Sequence, residues 1–223
     1  MTAKVVLVPG LGLGPESYAP TLRYLEAPYE VVTLPGYGAR ANQDDDLHTE
    51  ALAERLTERL TGQQESAVLV GHSASCQIVV AAALNHPQLV KALVLVAPSG
   101  DVRASAWPTL ASRWMRSAIW DPPRHVPTLT RQYFRTSFSS MARAMDAARH
   151  YDLAAAIPGL KVPTVVLRSK HDRLCPPRWN QALGDLAHGE AWTLPTGSHL
   201  PGLTNGRELA AFIQRYAGVY KNG

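Results

Sequence analysis

The eight residues from Val68 to Ser75, Val-Leu-Val-Gly-His-Ser-Ala-Ser, constrain this chain more than any other stretch. An uncharged apolar run stops at Gly71, and Cys76–Leu84 then continues, rich in alanine and valine, without proline or glycine. The pattern predicts a buried strand, a sharp turn and a helix, with Ser73 at the apex. Such a turn lifts the serine hydroxyl above the sheet and places backbone N–H groups of the helix start beside it. A hydroxyl next to anion-stabilising donors is what acyl transfer requires of a nucleophile. The usual pattern is Gly-x-Ser-x-Gly, and Ser75 stands where the second glycine belongs. A very small residue is wanted there because helix and strand approach closely. Read alone, the segment also fits a plain strand–helix connection with a capping serine, so the rest of the chain decides.

Six short apolar runs read as strands: Val5–Val8, Glu30–Leu34, Ala67–Val70, Ala92–Val96, Thr164–Arg168 and Ala191–Leu194. Most are continuous rather than alternating, as parallel strands covered on both faces are. Helical patterns fall between them at Glu16–Leu25, Thr49–Leu60, Ala74–Leu84, Arg178–Leu186 and Arg207–Tyr216. The alternation predicts an α/β fold, a central and mainly parallel sheet of about six strands flanked by helices. Ligands of such sheets bind at the carboxyl ends of the strands. One segment breaks the rhythm, separating the fourth strand from the fifth and carrying Trp107, Trp114 and Trp120. Pro108, Pro122, Pro123 and Pro127 divide it into short helices. A connection that long needs structure and a task, so residues 101–158 are expected to form a small helical cap inserted into a core of 1–100 and 159–223.

Composition narrows the class. At 223 residues, 46% hydrophobic and 18% charged, the chain fits one domain with a sizeable core, or one domain with an insertion. Cys76 and Cys175 lie far apart without metal-type spacing, so neither a zinc site nor a disulfide framework is expected. The first strand starts near Lys4, which leaves no room for a targeting segment, and no apolar run would span a bilayer. A cytoplasmic protein without membrane contact is the expectation. The net charge of +4 resides in the 101–160 segment, which holds eight arginines (103, 113, 116, 124, 131, 135, 143 and 149) against four acids. That localisation argues against a nucleic-acid-binding face on the main body.

A serine nucleophile needs a base for its proton and a carboxylate that fixes the base's tautomer. The fifth strand ends in Ser169-Lys170-His171-Asp172, and the sixth is followed by Thr196-Gly197-Ser198-His199. Ser73, Asp172 and His199 therefore all follow strand ends on one sheet edge, in the order serine, acid, histidine. Asp101, just past the fourth strand, is the rival acid. His72 occupies the variable position beside the serine and reads as packing or capping. Gly10, Gly12 and Gly14 give Gly-x-Gly-x-Gly, which lacks the spacing of a dinucleotide loop.

Taken together, the motifs resemble those of the α/β-hydrolase-fold superfamily, in its single-domain, small-cap form, over nearly the full length. Val8-Pro9-Gly10-Leu11-Gly12 resembles the family's oxyanion loop, although Pro9 stands where a histidine usually precedes the glycine. Leu34-Pro35-Gly36-Tyr37-Gly38 resembles its Pro-Gly-x-Gly turn, and Gly71-His72-Ser73 its nucleophile elbow. Asp172 with Pro176 matches the acid loop and Ser198-His199 the base loop; the two antiparallel strands that often open the fold are missing. The resemblance implies Ser73 as nucleophile, His199 as base and Asp172 as its orienting acid, with the N–H groups of Leu11 and Ala74 as oxyanion hole. It implies no cofactor and no metal, and hydrolysis of a small carboxylic ester, thioester or lactone through an acyl-enzyme.

Non-hydrolytic lyase chemistry on the same triad, a small-molecule receptor, and a thioesterase acting on a carrier protein stay open, because fold does not fix substrate. Gly10, Trp107, Trp114, Trp120, Tyr133 and Phe134 are the expected pocket residues, and the arginines the expected cationic rim. A small, anionic or aromatic substrate would suit such a pocket, and an acyl-carrier partner would suit such a rim.

Overall fold

Val5 and Leu7 point to one side of their strand and Val6 and Val8 to the other, and all four are fully buried. A strand with no solvent face must lie inside a sheet covered twice. The computed structural model, which describes residues 2–61, 66–101 and 106–219, has that architecture. Strands β1 (Val5–Val8), β2 (Tyr29–Val31), β3 (Ala67–His72), β4 (Val90–Val96), β5 (Thr164–Ser169) and β6 (Glu190–Leu194) form one sheet in the order β2-β1-β3-β4-β5-β6. Every pairing is parallel, so "mainly parallel" understates the sheet.

One face packs Val6, Val8, Leu69 and Leu93 against helices α1 (Thr49–Leu60) and α2 (Ser75–Asn85), and Val166 nearby against α6 (Pro177–Leu186). The other packs Val5, Leu7, Val68, Val70 and Val94 under α7 (Gly206–Ala217), through Leu209 and Ile213. The chain steps out from β1 to β2 and returns past β1 to β3. That reversal opens a crevice at the carboxyl ends of β1 and β3. Ser73 and the 10–14 loop both lie there.

Two expected elements come out differently. The helix expected at Glu16–Leu25 is a 3₁₀ turn, Pro15–Tyr18, followed by one α-turn, Ala19–Leu22. Pro20 has no N–H to continue a longer helix. The strand expected at Glu30–Leu34 stays in the sheet only through Val31; Leu34–Pro35 pairs instead with Gly38–Ala39. Gly36 and Gly38 hold φ of +83° and +89°, conformations that turn the chain away from the sheet.

Between β4 and β5 lie α3 (Trp107–Ala118), α4 (Val126–Thr136) and α5 (Phe138–Ala148), followed by one short α-turn, Leu153–Ala156. Their prolines sit at helix starts, where a missing N–H costs nothing. Three of the arginines tie these helices down. Arg113 pairs with Asp101 and Arg135 with Glu16, while Arg143 donates to the carbonyls of Asn42, Gln43 and Asp45. Arg149 pairs locally with Asp146, and Arg103 lies outside the described residues. Among the described residues, no helix is long and apolar enough to cross a membrane.

Candidate active site

Ser73 is held at φ +57°, the left-handed region that few non-glycine residues adopt. Close approach of α2 to β3 makes the turn possible. A Cβ on Gly71 would come within 2.8 Å of the Cys76 Cα and of the Ser75 carbonyl oxygen. Ser75, in the place of the second glycine, is itself fully buried. Its hydroxyl accepts the His72 N–H at 2.7 Å and shares its proton between the carbonyls of Val8 (2.8 Å) and His72 (2.9 Å). The side chain that departs from the pattern therefore binds the end of β1 to the turn after β3.

Ser73 Oγ lies 2.7 Å from His199 Nε2, and His199 Nδ1 lies 2.9 Å from Asp172 Oδ2. Asp172 is fully buried, and its other oxygen accepts the N–H groups of Leu174 (2.8 Å) and Cys175 (3.0 Å). Charge-assisted bonds of this kind hold a carboxylate in one orientation. Arg168, also buried, donates to the carbonyls of Cys175 (2.7 Å) and Asp172 (2.9 Å) and so fixes the loop itself. The rival acid, Asp101, faces Arg113 at 3.4 Å. Sequence reasoning left both the Ser75 and the Arg168 contacts out.

His72 does more than pack. Its Nε2 is 2.7 Å from the His199 carbonyl oxygen, and its ring lies 5.4 Å from that of His199. Burial first, and the neighbouring His199 second, push its pKa down to about 3. The ring is therefore neutral near pH 7, and a neutral ring must carry its proton on Nε2 to donate to that carbonyl. Gly10 lies against the opposite edge; a Cβ there would fall 2.7 Å from His72 Nδ1.

Leu11 lines the space above Ser73 and Ala74 follows the serine in the chain; among the described residues, neither N–H has a hydrogen-bond partner. The 10–14 loop is tied to its neighbours. Gly12 N–H donates to Gly36 at 2.9 Å, Gly14 N–H donates to the Gln132 side chain, and Thr136 donates to the Gly12 carbonyl at 3.2 Å. Helix α4 thus helps to hold that loop.

A cavity of about 360 Å³ stands over Ser73 and His199. Gly10, Leu11, Trp107, Trp114 and Tyr133 line it, together with Met141 and Met145 from α5. Two expected wall residues are elsewhere. Trp120 follows α3 and stacks on His171, ring centroids 3.9 Å apart. Phe134 is 65% exposed and meets Phe138 edge-on. Tyr133 and Phe134 are adjacent on a helix, about 100° apart, and of the two Tyr133 turns to the cavity. Among the described residues, no arginine lines the cavity. Nor do three or more His, Cys, Asp or Glu side chains gather there as metal ligands would.

Comparison with known proteins gives the family and the fold. The model of the alpha/beta hydrolase family matches residues 5–212. A pimeloyl-[acyl-carrier protein] methyl ester esterase of Vibrio atlanticus is 26% identical, over 95% of this chain and 94% of its own. A Yersinia enterocolitica protein named "Putative carbamate hydrolase RutD" is 26% identical, over 95% and 86%. Among solved structures, a lipase-esterase related protein from Clostridium acetobutylicum superposes with a TM-score of 0.79 at 14% identity. That match covers 96% of this chain and 94% of the other.

Proposed function

The chain belongs to the alpha/beta hydrolase family, and from that premise we propose that it hydrolyses a small carboxylic ester through an acyl-enzyme on Ser73. The unbroken hydrogen-bonded run from Ser73 through His199 to buried Asp172, at the floor of a largely apolar cavity, carries this reading. Ser73 Oγ attacks the ester carbonyl as its proton passes to His199 Nε2. Asp172 keeps the proton of Nδ1 in place, which leaves Nε2 free to accept, and then stabilises the imidazolium. The Leu11 and Ala74 N–H groups receive the oxyanion. The imidazolium next protonates the departing alkoxide, and water, deprotonated by His199, releases the acid. The helices of 101–158 act as a cap that roofs the reacting centre.

The esterase relatives' name makes an acyl group on a carrier protein one candidate substrate. A carbamate presents the same electrophilic carbonyl, and the name of the Yersinia relative adds it to the candidates.

The test compares wild type with Ser73→Ala on a panel of short p-nitrophenyl, methyl and thioester substrates, beside labelling by a fluorophosphonate. Loss of about 10⁴-fold in kcat/KM with an unchanged fold, and labelling confined to Ser73, is the expected result. Retention of more than a tenth of the activity removes Ser73 as nucleophile. Binding without turnover of any ester favours a receptor.

A further inference from the structure

His199 borders two adjoining chambers. The larger one holds Ser73. The second, of about 240 Å³, lies between α3, α4 and the loop after β6. The two share Trp114, Tyr133, His199 and Leu200. If Ser73 and His199 act as proposed above, on which this inference rests, their chemistry assigns the chambers. Cleavage forms the Oγ–acyl bond and breaks the bond between acyl carbon and alcohol oxygen, and that oxygen takes its proton from His199. The alcohol half must therefore sit on the His199 side of the carbonyl.

One ionisable carboxylate, Asp121, lines the second chamber. One of its oxygens accepts the Ser198 hydroxyl; the other, among the described residues, has no hydrogen-bond partner. The side chain is partly buried, and desolvation raises its pKa from the ordinary value. A partly desolvated carboxylate with an unused oxygen is stabilised by a cation brought to it. The rings of Trp114 and Tyr133 border the same space, and aromatic faces attract ammonium groups. We propose that this chamber takes the alcohol half of the ester and selects alcohols that carry an ammonium group, with Asp121 as counter-ion and Trp114 and Tyr133 as aromatic walls.

Choline acetate and 3,3-dimethylbutyl acetate, which differ in charge but hardly in shape, test it. Wild type should favour the ammonium ester in kcat/KM by about tenfold, and Asp121→Asn should bring the two within about threefold. Asparagine still accepts the Ser198 hydroxyl, and damage transmitted through the His199 loop would slow both esters alike, leaving their ratio unchanged. Ser198→Ala removes that hydrogen bond but keeps the charge, and should keep the preference. No preference in wild type, a preference for the neutral ester, or a preference that survives Asp121→Asn or disappears in Ser198→Ala overturns the proposal. Calorimetric binding of both esters to Ser73→Ala, with and without Asp121→Asn, reads the same selectivity without turnover. Absence of hydrolysis with Asp121-dependent binding defeats the hydrolase reading alone. Hydrolysis without ammonium preference defeats this inference alone.

Discussion

The hydroxyl of Ser75 lies 2.8 Å from the carbonyl oxygen of Val8, so the strand that leads to the 10–14 loop is bonded to the turn that presents Ser73. Both are fully buried. Ser75→Gly should therefore restore the usual motif and weaken the protein. Loss of these buried bonds should cost about 1–2 kcal/mol in urea unfolding, and kcat should fall more than KM rises. Equal or greater stability of the glycine variant would make Ser75 an incidental occupant.

Asp172→Asn should lower kcat/KM by about 10²–10⁴-fold, because an amide favours the wrong tautomer of His199. Asp101→Asn should change it by less than about threefold, since Asp101 faces Arg113 rather than the histidine. Steady-state kinetics on one ester decide between them, and a reversed ranking would move the acid to the end of β4.

Acid should act on stability through His72. Its pKa is about 3 in the fold against an ordinary 6.5, so the unfolded chain takes up a proton that the folded chain refuses. That contribution is intact above pH 6.5 and is lost as pH falls from there toward 3, by at most about 1.4 kcal/mol per unit. His72→Gln keeps a donor for the His199 carbonyl and removes the titration. Urea unfolding at pH 7 and pH 5 should show a smaller loss in the variant, and identical losses would place the acid sensitivity elsewhere.

Trp107→Ala and Trp114→Ala should each raise KM for bulky apolar acyl esters by about five- to tenfold, since each removes apolar wall from the cavity. Trp120→Ala should leave KM within about twofold, because its ring stacks on His171. A larger effect at Trp120 than at Trp114 would mean that the cavity is entered from a different side.

Much of this is legible in the sequence. Continuous apolar runs such as Ala92–Val96 have only one comfortable place in an α/β protein, and the strand ends then carried Ser73, Asp172 and His199 to one edge. The rest depends on pairs that no local pattern announces. His72 and His199 stand 127 positions apart, and the bond between them exists only because β3 and the loop after β6 reach the same crevice. Asp121 carries no motif at all; its place beside Ser198 follows from how the segment after α3 folds back. Nor does aromatic content reveal direction. Trp107, Leu110, Ala111 and Trp114 recur at the spacing of one helix face and all line the cavity, whereas Trp120 lies beyond the helix, where spacing assigns no face.

The φ of +57° at Ser73 limits which atoms can ever serve as nucleophile in this scaffold. A branched Cβ is strongly disfavoured in that conformation, so threonine, with the same hydroxyl, would distort the backbone before it could react. Unbranched cysteine or aspartate would meet no such barrier. Variation at this position is therefore channelled by torsion angle, toward thiol or carboxylate chemistry and away from the substitution that looks most conservative on paper.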